Sequence, residues 1–269
     1  MIIAEKSPFV LAACSEMIFQ ELPFMERVDK IAARGLEVEM WDWTNKDLDA
    51  LAASGATIGS MTGYISGNLT DADEIGPFLE SAKRSVEAAH RIGCKRLNFH
   101  GTGLGEGGIP VKKVQIVTGK MWAQAALTLE KLAEIGKEGN VVFSLENLNL
   151  PVDHPGTPFN SPQDCLDLVS TVDSLNIRLN LDLYHAQIGN GQLIETCRTN
   201  LPYVGEIQIA DAPGRCEPGT GEINYANVAK ALRDMGYTGV VAMEAFASGD
   251  SDAALDTFIE TFSPGPKES

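Results

Sequence analysis

Four stretches in the second half of the chain run apolar and then stop on a single metal-capable side chain: VVFSLE on Glu146, RLNLD on Asp182, GEIQ on Gln208 and VVAME on Glu244. A short apolar run reads as a buried strand, and a carboxylate at its carboxyl end is costly unless something there neutralises it. Three carboxylates and one amide form an all-oxygen donor set. Such a set suits Mg²⁺ or Mn²⁺ better than a structural zinc or a copper centre, which favour sulfur and imidazole. Each residue alone is explained as well by a hydrogen bond or salt bridge at a rim. The four together point to one shared divalent cation and metal-assisted chemistry.

Further polar residues sit beside these four. In Asp182-Leu183-Tyr184-His185 an imidazole lies three residues beyond a candidate ligand, where a neutral ring can donate to a substrate oxygen. His100 closes another apolar run and is followed by Gly-Thr-Gly, so it is expected to face the same pocket; His90 falls in a helical segment and has no such claim. A polar loop from Asp211 to Asn224 leaves the GEIQ run, with Gly214, Gly219 and Gly221 permitting tight turns. No GK[ST] follows it, so it is no phosphate loop, and it lacks the GxGxxG that should follow a dinucleotide-binding strand. Its Arg215 either holds a substrate carboxylate or hydroxyl, or pairs with Glu217 or Glu222.

These residues need a scaffold that gathers strand ends. Eight strand-like runs recur: Val10–Cys14, Glu37–Trp41, Thr57–Thr62, Arg96–His100, Val141–Glu146, Arg178–Leu183, Glu206–Ala210 and Val240–Glu244. Helical periodicity fills the gaps. Pro23–Arg34 places Phe24, Val28, Ile31 and Ala32 on one face with Gly35 as its stop; Phe78, Ala82, Val86 and Ala89 repeat the spacing before Gly93. Ser161 followed by Pro162 and Asp164 reads as an N-cap with proline at the first helical position. Val114–Ile135 predicts the longest helix, outside the fifth strand. Strands alternating with helices argue for parallel βα units, and eight such units close an α/β (β/α)₈ barrel of the TIM type, whose site lies at the carboxyl ends of the strands. Glu146, Asp182, Gln208 and Glu244 then converge from strands five to eight.

The 269 residues suit one such barrel, expected over 1–262, with SPGPKES at 263–269 as a frayed tail. A hydrophobic fraction of 44% against 22% charged excludes disorder. The formal charge of −16 argues against nucleic acid and anionic membrane partners. No apolar run reaches the roughly 18 residues that cross a bilayer, and the start MIIAEKSPFV lacks a signal peptide's pattern, so a cytoplasmic location is expected. Five separated cysteines with no CxxC read as reduced thiols, Cys14 as a small buried hydrophobe rather than a pocket residue.

The strings ENLN, DLYHAQ, QIAD and GRCEPGTGEINY, in that order, resemble the hydroxypyruvate isomerase family within the xylose isomerase-like TIM barrels, from about Ala12 to Phe258. The resemblance implies metal ligands at Glu146, Asp182, Gln208 and Glu244, proton transfer by Glu146 and Glu244, and substrate contact by His185 and Arg215. It implies an isomerase that moves a carbonyl one carbon along a small hydroxy-carbonyl acid, hydroxypyruvate to tartronate semialdehyde being the family's own case. A 2-oxo-tetronate isomerase or a ketose 3-epimerase would use the same site. Barrels of this kind often pair through their outer helices, so a homo-oligomer is a further expectation. The chain departs from the pattern at Val152, where related ketose epimerases carry an acidic residue; Asp153 or His154 is the candidate substitute. The loop Gly101–Pro110, with five glycines, and Trp41-Asp42-Trp43 are particular to this chain. Two further classes are weighed: an inactive barrel serving as a binding subunit, which the intact ligand set argues against, and a DNA-repair endonuclease, which four histidines and the negative charge argue against.

Overall fold

A computed structural model describes residues 2–4, 7–172 and 174–263, so the expected tail beyond Ser263 lies outside the described residues. Eight parallel strands follow one another around a closed barrel: β1 (Val10–Cys14), β2 (Glu37–Met40), β3 (Ile58–Thr62), β4 (Arg96–Phe99), β5 (Val142–Glu146), β6 (Ile177–Asp182), β7 (Val204–Ile209) and β8 (Val240–Met243). Each strand pairs with its neighbours in sequence, and β8 closes onto β1 through Val10 opposite Val240 and Ala12 opposite Ala242. The expected (β/α)₈ architecture is therefore present, with every strand within two residues of its expected bounds.

Around the barrel run α1 (Phe24–Ala32), α2 (Leu48–Ala53), α3 (Ala72–Ile92), α4 (Gly119–Glu138), α5 (Pro162–Thr171), α6 (Leu183–Gly189), α7 (Leu193–Asn200), α8 (Tyr225–Asp234) and α9 (Ser251–Phe262). Ser161 caps α5 as expected, its side chain accepting from Asp164 N, and Gly93 ends α3 in the left-handed region. The helix expected from Val114 begins only at Gly119. Thr118 takes the N-cap with its hydroxyl toward Met121 N, and Val114 N is tied instead to Gly156 O at 2.8 Å. No helix among the described residues is long and apolar enough to cross a membrane.

The main core lies between strands and helices. Phe143 and Leu145 of β5, Leu179 and Leu181 of β6, and Ile207 and Ile209 of β7 are buried there with Val28, Phe78, Leu129 and Phe258 of the helices. Alternate positions of the same strands carry Ser144, Glu146, Asn180, Asp182, Glu206 and Gln208, also buried. The runs are thus not uniformly apolar but alternate, with large apolar side chains toward the helices and small or polar ones toward the barrel axis. Bonds between strands that are not neighbours confirm this, because they cross the interior. Ser60 of β3 donates to Glu206 Oε1 of β7 at 3.0 Å, and Gln208 Nε2 of β7 donates to Glu39 Oε2 of β2 at 3.3 Å. The five cysteines are free, with Cys14 fully buried.

Candidate active site

At the carboxyl end of the barrel a cavity of about 1130 Å³ is lined by Glu146, Glu244, His100 and Arg215, together with Trp41, Tyr64, Asn98, Asp153 and His154. Glu146 is the last residue of β5, and Glu244 follows β8 directly. Asp182 at the end of β6, Gln208 in β7 and His185 in α6 are buried outside that lining. The seven sequence-selected residues therefore cluster at one end of the barrel, in two tiers.

Glu146 is met by two side chains at the end of β4. Asn98 Nδ2 donates to Oε2, and His100 Nε2 lies 3.1 Å from the same oxygen. His100 Nδ1 is 2.9 Å from the Tyr64 hydroxyl, which itself donates to Thr102 O at 3.0 Å. Burial of the imidazole lowers its pKa to about 4, so the ring is neutral at pH 7. Burial, and after it the charge of Glu244, pushes the Glu146 carboxyl up to about 8. Asp182 is likewise raised by burial and then by Glu146.

Asp182 has a fixed backbone. Asn147 clasps it in both directions, Nδ2 donating to Asp182 O at 2.9 Å and Asp182 N donating to Asn147 Oδ1 at 3.0 Å. Its Oδ1 caps α6 by accepting from His185 N at 2.9 Å, while Oδ2 is buried without a hydrogen-bond partner among the described residues. His185 Nε2 is in the same condition, 3.9 Å from Asp182 Oδ2 and 3.7 Å from Glu146 Oε1. Ligand atoms of Glu146, Asp182 and His185 lie within 4.8 Å of one another, close enough to share a metal ion.

The tautomer of His185 bears on that possibility. Asn149 Oδ1 accepts from Val152 N and Asp153 N, and its Nδ2 donates to Asp153 Oδ2 at 2.6 Å, which fixes the amide orientation. The same Nδ2 faces His185 Nδ1 at 2.7 Å. Nδ1 is then an acceptor, so in the neutral ring Nε2 carries the proton and points a donor toward the carboxylates. A protonated Nε2 cannot ligate a cation, and burial keeps the ring neutral. His185 is built to donate a hydrogen bond.

Arg215 lines the cavity, and it pairs with neither Glu217 nor Glu222. Its Nη2 lies 2.5 Å from Glu244 Oε2, and its guanidinium sits 5.1 Å over the Tyr184 ring. The cause is the loop. Asp211 accepts from Ala212 N, Gly219 N and Ile223 N, folding the segment back on itself. Arg215 adopts φ 53°, unusual for a residue with a side chain. Glu217 is taken by Ser248 and Glu222 by Gln187. Gln208 is engaged on both sides of its amide, accepting from Asn180 Nδ2 at 2.8 Å and donating to Glu39.

Several residues of the site were not singled out from sequence. Asn98 stands two positions before His100 and so faces the same side of the strand, a signal period-two spacing contains. Glu39 follows Glu37 by two in a predicted strand, which carries the same signal. Asn147 and Asn149 were visible only as letters of ENLN. Of the three residues at the departure from the family pattern, Val152 is 63% exposed, whereas Asp153 and His154 line the cavity.

A parallel eight-stranded barrel with an acidic, histidine-bearing cavity at its carboxyl end is a TIM barrel with its pocket where that fold carries chemistry. A model of the xylose isomerase-like TIM barrel family matches residues 25–262, and the chain belongs to that family. A Xenopus laevis protein provisionally named hydroxypyruvate isomerase is 31% identical over 180 residues, 66% of this chain and 64% of that one, so the match spans less than two thirds of that relative. The Escherichia coli hydroxypyruvate isomerase is 27% identical, with 89% of this chain and 94% of that one covered. The Haemophilus influenzae 2-oxo-tetronate isomerase is 26% identical, with 92% and 97% covered. Among solved structures, one described as AP endonuclease, family 2, from Brucella melitensis superposes with TM-score 0.82 at 24% identity, over 93% of this chain and 98% of that one; the likeness is one of fold.

Proposed function

We propose that this chain is an isomerase that moves a carbonyl by one carbon along a small hydroxy-carbonyl acid, with hydroxypyruvate to tartronate semialdehyde as the foremost case. The observation that carries the reading is that Glu146 and Glu244 face one cavity from strands three apart in the barrel, close enough for the charge of Glu244 to raise the pKa of Glu146. The relatives named for this chemistry support it.

The donor set fits a divalent cation. Glu146, Asp182 and Glu244 are crowded, buried carboxylates; Asp182 Oδ2 has no partner among the described residues, and Gln208 adds an amide oxygen. Those four residues would hold Mg²⁺ or Mn²⁺, and the cation when bound would polarise the substrate carbonyl. One of the two glutamates removes the proton from the hydroxyl-bearing carbon, leaving an enediolate. The other returns a proton to the former carbonyl carbon, while the hydroxyl proton passes to the former carbonyl oxygen. His185 Nε2–H faces the Glu146 and Asp182 carboxylates from outside the cavity lining and orients them, and Arg215 engages the substrate carboxylate beside Glu244. His100, neutral, holds Glu146 and closes that wall of the cavity.

A second reading is favoured by the cavity itself. Its roughly 1130 Å³ far exceeds what a three-carbon acid fills, so a four-carbon 2-oxo-tetronate or a ketose undergoing 3-epimerisation also fits the same residues. Solvent deuterium uptake across a panel of 2-oxo acids and free ketoses, with Mg²⁺ or Mn²⁺ present, tests both. Exchange confined to hydroxypyruvate supports the first reading, and exchange on longer substrates the second. No exchange on any substrate overturns both. Glu244→Gln is expected to abolish exchange while keeping the circular dichroism of the parent.

A further inference from the structure

We propose that Trp41 is a positioning residue for Glu244, an inference that takes the role of Glu244 from the isomerase reading above. Trp41 Nε1 donates to Glu244 Oε1 at 2.8 Å, across the mouth of the barrel from the end of β2 to the end of β8. Only β1 separates those strands, and at its end Cys14, followed by Ser15, carries a short side chain. The Trp41 backbone is pinned on both sides, N donating to Glu16 Oε1 at 3.4 Å and O accepting from Thr62 N at 3.3 Å. Glu16 is in turn held by Lys46 at 2.9 Å.

Trp41 is 43% exposed and lines the cavity, yet the one polar atom of its side chain is spent on a buried carboxylate. A residue kept for packing alone would bury its ring. The rest of Trp41-Asp42-Trp43 serves local structure: Asp42 caps the turn at Thr44, and Trp43 Nε1 donates to Ser85 Oγ at 3.0 Å. Of the two indoles in this stretch, Trp41 is the one that lines the cavity.

The choice of indole has a chemical sense. An indole N–H donates and does not titrate, so it fixes a carboxylate oxygen without exchanging a proton with it. Arg215 holds the other oxygen, Oε2, and is the group a substrate anion would attract. Trp41 keeps Glu244 in place while Arg215 is shared.

The test uses the full chain with chelator present and ¹H–¹⁵N spectra of its three tryptophan side chains. Trp41→Phe deletes one indole N–H resonance. Glu244→Ala is expected to move that same resonance upfield and leave the other two in place, which also reports that the fold is intact; Glu244→Gln, keeping a neutral acceptor, moves it less. In turnover, Trp41→Phe is expected to lower kcat about tenfold or more with KM within about twofold, as for loss of one hydrogen bond to a charged group. A Trp41 resonance unmoved by Glu244→Ala, or an unchanged kcat in Trp41→Phe, overturns the inference. The expected spectra with no turnover of any substrate by the parent chain support the contact and overturn the isomerase reading instead.

Discussion

Replacing Arg215 by Met removes the cation that faces Glu244 and leaves a carboxylate 5% exposed beside two others. Removing one partner of a buried ion pair costs about 3–5 kcal/mol, because the remaining charge keeps its desolvation penalty without compensation. Here the lower end applies: Trp41 still donates to Glu244 Oε1, and the Arg215 side chain is itself 18% exposed. A loss of about 3 kcal/mol corresponds to a fall in Tm of roughly 6–12 °C for a chain of this size. The assay is urea unfolding of the parent, Arg215→Met, Glu244→Gln and the double variant, all with chelator so that no added cation substitutes for the guanidinium. The double variant should return to within about 1 kcal/mol of the parent, since removing both charges removes the penalty. An Arg215→Met variant within about 0.5 kcal/mol of the parent, or a double variant as unstable as it, refutes the account of the pair.

The buried Glu146 predicts a pH dependence in chelator-treated protein. Its carboxyl is raised to about 8, whereas in the unfolded chain it titrates near 4.3, so between those values the folded state binds more protons. Its contribution to stability is present below the unfolded value and is lost as pH rises through about 8, amounting to a few kcal/mol at most. Unfolding at pH 5 and pH 8 should show a steeper loss in the parent than in Glu146→Gln; equal slopes count against the raised carboxyl. A third expectation concerns Gly101, where an added Cβ would meet Pro158 O at 2.0 Å. Gly101→Ala must push the loops after β4 and β5 apart, costing about 1–3 kcal/mol and raising KM, whereas unaltered stability and KM would show that the two loops part freely.

The strand ends were legible because the chemistry marks them. In VVFSLE and RLNLD the apolar run is interrupted and then closed by an acid, so Glu146 and Asp182 could be placed to the residue from letters alone. The helix at Val114 was less legible, since its periodicity extends upstream through a segment whose backbone hydrogen bonds go to the β5 loop rather than to a helical turn. Arg215 was hardest. Which of several acids it meets depends on a left-handed backbone at one residue and on three backbone amides gathered by Asp211, and neither leaves a periodic trace. Trp41 and Asn149 share that difficulty, as their partners lie 203 and 36 residues away.

The interior of the barrel shows how the two ends are divided between stability and function. Toward the amino end, Glu206 is completely buried but saturated, Oε1 by Ser60 and Oε2 by Arg96 Nε at 2.8 Å, and Arg96 reaches on to Glu37. The charges there are paired, which is the condition under which a buried ion is tolerated. Elsewhere in the interior the pairing is thinner. Among the described residues Glu39 Oε1, Asn98 Oδ1, Asn180 Oδ1, Asp182 Oδ2 and His185 Nε2 are buried without hydrogen-bond partners. Each such group costs about 1–3 kcal/mol when left unsatisfied. Five together would be a heavy burden on a fold whose net stability is of order 5–15 kcal/mol. A fold can carry that cost where water or a ligand completes the set, and Asp182 Oδ2 and His185 Nε2, both beside Glu146, put part of that completion at the end where Glu146 and Glu244 face the cavity.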